Sequence, residues 1–317
     1  MTIISATPLP HRANRRGLAM ALTILVGGIV GGNFALAKYA VLMGASPFAL
    51  FFWQVSGAAV LLLGVVLVRG LNQFNGQMSL AHLRYYFFGG LLGISIPQVL
   101  GYMALREVPA GLFTMAVTVS PLFTFLAASA YERRFLPLYR VCGLLIGLSG
   151  VLIATYSGLE TNRISGMSLL LLGLVPVFLA LTNVFRDKAF PDGGDPTILA
   201  TGTLVSQVLL LWPFALGMDD FRQSMPVIVE LWPHVMGLMM ITALSYILTF
   251  ELYRHTDGVG FSQVGYFVIL SGVAAGALVF GEEISIFFAI SILLLFLGVA
   301  IGNGSLRTTN KVRKSAG

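Results

Sequence analysis

Asn33-Phe-Ala-Leu-Ala-Lys38 closes the first long apolar stretch of the chain, and Asn183-Val-Phe-Arg-Asp-Lys188 closes another 150 residues later. Glu132 and Glu282 repeat the same interval of 150, each ending a later apolar stretch at the matching place. Arg106 and Arg254 recur at 148, as do Gly150 and Gly298. Four ordered coincidences at nearly one spacing indicate a duplicated half of about 150 residues. In a chain this apolar, duplicated halves point first to a transporter.

Composition sets the solvent. Hydrophobic residues make up 57% of the 317 and charged residues only 10%, with a mean hydropathy of +0.88. A soluble domain carries roughly 25% charged residues, so this chain cannot cover its surface in water and must be solvated by lipid. No secretory leader is expected, because the basic run from Arg12 to Arg16 leads directly into an apolar stretch long enough to span. The sequence pI of about 9.6 does not indicate nucleic acid, since the bases are spread along the chain rather than gathered on one polar domain. The single cysteine, Cys142, excludes an intrachain disulfide and a cysteine-based metal cluster. In an apolar helix it is expected to be a small packing residue.

A bilayer core takes about 20 apolar helical residues. Ten segments qualify: Leu18–Met43, Pro47–Val68, Tyr85–Leu105, Ala110–Tyr131, Leu138–Tyr156, Met167–Phe185, Thr197–Leu216, Trp232–Tyr253, Val259–Phe280 and Ile284–Gly302. With the N-terminus inside, 15 of the 19 Lys and Arg fall on the cytoplasmic side, leaving Lys38, Arg106, Arg163 and Arg222 outside. Both termini are therefore expected in the cytoplasm, with Trp212 and Trp232 at the outer interface. The expected fold is an all-α integral membrane protein of ten transmembrane helices. A cytoplasmic tail (1–17) and a basic tail (304–317) flank two halves, 18–156 and 165–303. Five helices per half make the second half enter the membrane the other way up, an inverted repeat able to adopt inward- and outward-open forms of similar energy.

These residues resemble the drug/metabolite transporter superfamily, specifically its ten-helix EamA type. The resemblance is carried by Gly32-Asn33-Phe34 with Lys38, by Ala104-Leu-Arg-Glu-Val-Pro-Ala-Gly111, by Ser120-Pro121-Leu-Phe-Thr124 with Glu132, and by Gly281-Glu282. It runs from about Leu18 to Gly302. Where members often carry an arginine in the second helix, this chain reads Phe52-Trp53-Gln54. The resemblance implies export or exchange of small metabolites, amino acids or drug-like compounds through a cavity between the halves.

Few ionisable groups lie inside the spans, and charges there are usually functional. Lys38 is 20 residues past Leu18, so it either snorkels to the outer interface or gates the outer mouth. Glu251, three residues before Arg254, is either a helix-end ion-pair partner or a protonatable inner gate. Thr242, Ser245, Tyr246, Thr249 and Tyr253 form one polar stripe on the eighth segment. Ser95, Gln98 and Tyr102 do the same on the third, while Ser262, Gln263 and Tyr266 enrich the ninth and Thr114 and Thr118 the fourth. Ser and Thr also join helices, but stripes on repeat-related segments read as a cavity wall. The cavity is expected to hold Asn33, Gln98, Tyr102, Asn183, Tyr246, Gln263 and Tyr266, lined by segments 1, 3, 4, 6, 8 and 9, with 5 and 10 peripheral. Mid-span Pro97, Pro121 and Pro176 each remove a backbone hydrogen bond and are expected to kink their helices.

The four histidines are scattered, with no metalloprotease or paired-carboxylate motif, so neither an enzyme nor a metal or other cofactor is expected. No nucleotide-binding motif is present, leaving a substrate gradient or a coupled ion as the energy source. The expected function is secondary export or exchange of a small polar metabolite, an amino acid first, across a plasma membrane (a bacterial inner membrane). Its partners are that small molecule and the lipid bilayer, with no nucleic acid; a homodimer is compatible. The alternatives are proton-driven multidrug efflux through Glu251 and a non-transporting receptor or scaffold.

Overall fold

The structure, a computed structural model, describes residues 10–70, 77–133, 135–161, 164–191, 195–255 and 264–302. Within them the chain forms helices and connecting turns. The first seven expected segments become α1 (Pro10–Leu42), α2 (Pro47–Arg69), α3 (Leu80–Ala104), α4 (Ala110–Glu132), α5 (Leu138–Thr161), α6 (Gly166–Ala189) and α7 (Pro196–Gly217). A short helix not expected from the sequence, α8 (Asp219–Glu230), follows; then come α9 (Trp232–His255), α10 (Val264–Phe280) and α11 (Ile286–Gly302). Eight of these helices are long and apolar enough to cross a membrane, and α10 and α11 are shorter apolar helices of 17 residues each.

Local chemistry accounts for the boundaries. In lipid only a helix satisfies every backbone group of a single spanning segment, and breaks fall where it can be interrupted. Gly44 takes a left-handed φ of 98° between α1 and α2, and Pro47 starts α2, where no N–H is needed. Asp195 caps α7, its Oδ1 accepting from Thr197 N (2.9 Å) and Ile198 N (3.2 Å). The three mid-span prolines behave differently from one another. Pro97 follows a π-helical turn, Leu91–Ser95, in α3, and Pro121 follows a break at Val119 in α4. Pro176, expected to kink its helix, lies within α6, which continues as α-helix across it.

The inter-helix packing has a symmetry. Helix α1 packs on α10 and α9; α6 packs on α4 and α3. Helix α2 packs on α9, and α7 on α3. The pairs α2–α7, α4–α10 and α5–α11 complete the set. Shifting the sequence by the 150-residue interval takes α1 to α6, α2 to α7, α3 to α9, α4 to α10 and α5 to α11. Each contact then becomes another contact of the same structure. Small residues permit the closest approaches: a Cβ on Gly143 of α5 would sit 2.6 Å from the Gly298 carbonyl of α11. Large apolar side chains such as Val60, Leu209 and Leu293 face outward. Cys142, expected as a packing residue, is also exposed.

Candidate functional site

Four helices enclose a cavity of about 300 Å³ including its open mouth. It is lined by Phe51, Gln54 and Val55 of α2, Gly93, Ile94 and Gln98 of α3, Leu204 of α7, and Thr242 and Tyr246 of α9. The polar wall is a connected network centred on Gln54. The Gln54 amide Nε2 donates to Thr242 Oγ1 (2.6 Å) and Asn33 Oδ1 (3.3 Å), and its Oε1 accepts from the Tyr102 hydroxyl (2.5 Å). Gln98 Nε2 donates in turn to Tyr102 OH (3.1 Å). One amide thus ties α1, α2, α3 and α9 together. Tyr102 is wholly buried, so its hydroxyl depends on these partners for hydrogen bonding.

The expected site residues divide by position. Asn33, Gln98, Tyr102 and Tyr246 line the cavity or bond into its network. Asn183 instead joins α6 to α4, donating to Thr124 Oγ1 at 3.1 Å. Tyr266 lies edge-on to Phe296 of α11, with ring centroids 4.7 Å apart. Gln263 is outside the described residues. The hydroxyls of Thr114 and Thr118 return to carbonyls of their own helix, α4, while both side chains press against glycines of α10. The lining helices are therefore α2, α3, α7 and α9, with α1 contributing Asn33; helices α5 and α11 pack chiefly on each other.

Two contributors were not singled out from sequence. Gln54 entered only as a departure from a family pattern, and Arg186 only as a cytoplasmic charge. Arg186 Nε is buried, with no hydrogen-bond partner among the described residues. The absence of a side chain at Gly93 admits the guanidinium: a Cβ there would lie 3.3 Å from Arg186 Nη2. The cation thus reaches the cavity lining from the end of α6. Among the described residues no group of His, Cys, Asp or Glu could hold a metal ion.

The lysines of the opening repeat are both paired. Lys38 Nζ meets Glu282 Oε1 at 2.5 Å, with side chains only 9% and 18% exposed. It also lies 4.9 Å from the Phe280 ring centroid. Gly281, with a left-handed φ of 64°, ends α10 just before Glu282. The Glu282 carboxylate further accepts from Ala110 N (2.7 Å) and Gly111 N (3.2 Å) at the start of α4. Lys188 Nζ meets Glu132 Oε1 at 3.2 Å, both side chains 41% exposed, and shares its charge with Asp187 at 3.1 Å. Glu251, in the last turns of α9, is half-buried and has a partner of its own.

Residues 17–156 match the EamA-like transporter family. The chain is 23% identical over 307 residues to a Bacillus subtilis (strain 168) protein described as "Uncharacterized transporter YvbV", covering 95% of this chain and 94% of that one. A solved structure described only as "Crystal structure of protein" superposes with a TM-score of 0.56 at 17% identity, covering 90% of this chain and 98% of that one. That likeness concerns the fold alone. The apolar helices, the polar cavity between them and these matches agree on a multi-pass membrane transporter whose residues 17–156 are similar to the EamA-like transporter family.

Proposed function

We propose that this chain is a secondary transporter that exports or exchanges small polar metabolites, amino acids first, by alternating access in a plasma membrane. The observation that carries the reading is the Gln54-centred network, an amide and hydroxyl surface in the wall of the cavity. Burying such groups is unfavourable without partners. A small ligand bearing both donors and acceptors replaces those partners as it binds. Arg186 adds a cation at the cavity lining whose buried Nε has no hydrogen-bond partner among the described residues, which suits the carboxylate of a zwitterion. The aromatic and aliphatic lining of Phe51, Val55, Ile94 and Leu204 accepts the apolar part.

Support for alternating access comes from the packing. Contacts that exchange under the repeat interval are what two inverted halves, residues 18–156 and 165–303, would produce. In this reading ten segments cross the membrane and both termini lie in the cytoplasm. Reporter fusions at Gly76, Gly158 and the C-terminus then read inside, outside and inside. The function itself is tested by counterflow of labelled amino acids into proteoliposomes, with unlabelled compounds as competitors. Saturable exchange supports the reading, and its absence across an amino-acid panel refutes it.

A further inference from the structure

Lys38 and Lys188 stand one repeat interval apart, and so do Glu132 and Glu282. Each lysine takes its glutamate from the other half of the chain: α1 pairs with the end of α10, and α6 with the end of α4. Helix α4 measures how far apart the pairs lie. Its first N–H groups bond to Glu282 and its last residue is Glu132, so about 33 Å of helix separates them. That is the thickness of a bilayer core.

The two pairs are in different states. Lys38–Glu282 is short, shielded and completed by two N–H groups from a helix N-terminus, which itself favours a carboxylate. Lys188–Glu132 is longer, open to the surroundings and divided with Asp187. Exposed pairs hold little, whereas breaking a shielded pair by removing one member is strongly unfavourable. One end of the molecule is locked and its repeat-related counterpart is loose.

Building on the alternating-access reading, we infer that Lys38–Glu282 and Lys188–Glu132 are reciprocal gates of the cavity, and that this structure is the form closed at the Lys38 end. Chemically identical pairs at symmetric positions keep the two closed forms near balance, so either can be favoured by modest differences. A link to the cavity is built in. Each lysine lies five residues beyond an asparagine on the same helix; Asn33 bonds to Gln54 in the cavity, and Asn183 to Thr124 of α4. A ligand that displaces Asn33 shifts α1, and Lys38 with it. In the opposite form Glu132 takes the start of α10 as Glu282 takes the start of α4.

The test reads access rather than flux. In a chain with Cys142→Ser, single reporter cysteines replace Phe34 or Val184, one turn inward of Lys38 and Lys188. Labelling by a membrane-impermeant maleimide is followed in right-side-out and everted vesicles without any substrate. The expected wild-type pattern is a protected reporter at 34 and a labelled one at 184. Glu282→Gln raises labelling at 34 about tenfold and lowers it at 184; Glu132→Gln does the opposite, raising labelling at 184 and leaving 34 protected. Lys38→Gln leaves the Glu282 bonds to α4 in place and serves if Glu282→Gln does not fold; it too raises labelling at 34. Labelling at 34 that ignores both Glu282→Gln and Lys38→Gln, or that moves in step with labelling at 184, overturns the gates. Reciprocal labelling in a chain without flux leaves the gates standing and removes the transport reading; normal flux with unmoved labelling does the reverse.

Discussion

Replacing Gln54 by leucine removes the hub of the cavity while nearly keeping its volume. Three hydrogen bonds are lost, two short ones to Tyr102 and Thr242 and a long one to Asn33. Within membranes such bonds average about 0.6 kcal/mol each, so the two short ones contribute about 1 kcal/mol. Tyr102 is 0% exposed, so its hydroxyl proton is left buried without an acceptor, which costs a further ~1–3 kcal/mol. The total is about 2–4 kcal/mol. A ligand that makes two such bonds to the same amide loses about 1 kcal/mol, or roughly fivefold in affinity at 1.4 kcal/mol per tenfold. The assay is paired: thermal unfolding in detergent, and KM for counterflow in proteoliposomes. A Gln54→Leu chain that melts like wild type and exchanges with an unchanged KM refutes the claim that this amide organises the site.

Arg186→Gln should weaken exchange of carboxylate-bearing substrates about tenfold or more while sparing their methyl esters, measured by competition in counterflow. Gly298→Leu should break the α5–α11 seam, because a Cβ at 298 would lie 2.6 Å from the Gly143 carbonyl; a loss of about 3 kcal/mol would appear as failure to survive mild detergent. Glu107, in the turn before α4, accepts from Ser165 N (2.7 Å), and this bond holds its carboxyl below the usual range. The tie between the two loops is therefore complete at neutral pH and lost as pH falls through the lowered value. Proteolysis next to Ser165 should rise on acidification, and Glu107→Gln should remove that acid step.

Much of the architecture was legible because lipid imposes long apolar helices, and periodic polar residues stand out against them. The repeat interval marked Lys38, Lys188, Glu132 and Glu282 as equivalent, yet spacing alone could not say that each lysine meets the other half's glutamate; that requires the packing of α1 on α10 and α6 on α4. Gln54 was hidden because a single amide in an apolar helix has no periodic companion. Arg186 sits at a helix end, where composition reads a cation as an orientation signal, and the space that admits it comes from Gly93 on another helix. Helix α8 lacks the apolar length that marks a span. Its amphipathic face shows only in its packing on α2, where Ser224 Oγ accepts from Ser46 N. Asn183 and Asn33 show the limit of symmetry: equivalent in sequence, they bond to different helices in this form.

Counterflow of a labelled amino acid into proteoliposomes, run with and without a pH gradient on wild type, Gln54→Leu and Glu251→Gln, tests the account most directly. Saturable exchange in wild type that persists without the gradient, survives Glu251→Gln and fails in Gln54→Leu is the predicted result. Flux that collapses without the gradient and again in Glu251→Gln would contradict it in favour of proton-driven efflux, and no saturable flux at all would contradict transport of this substrate class.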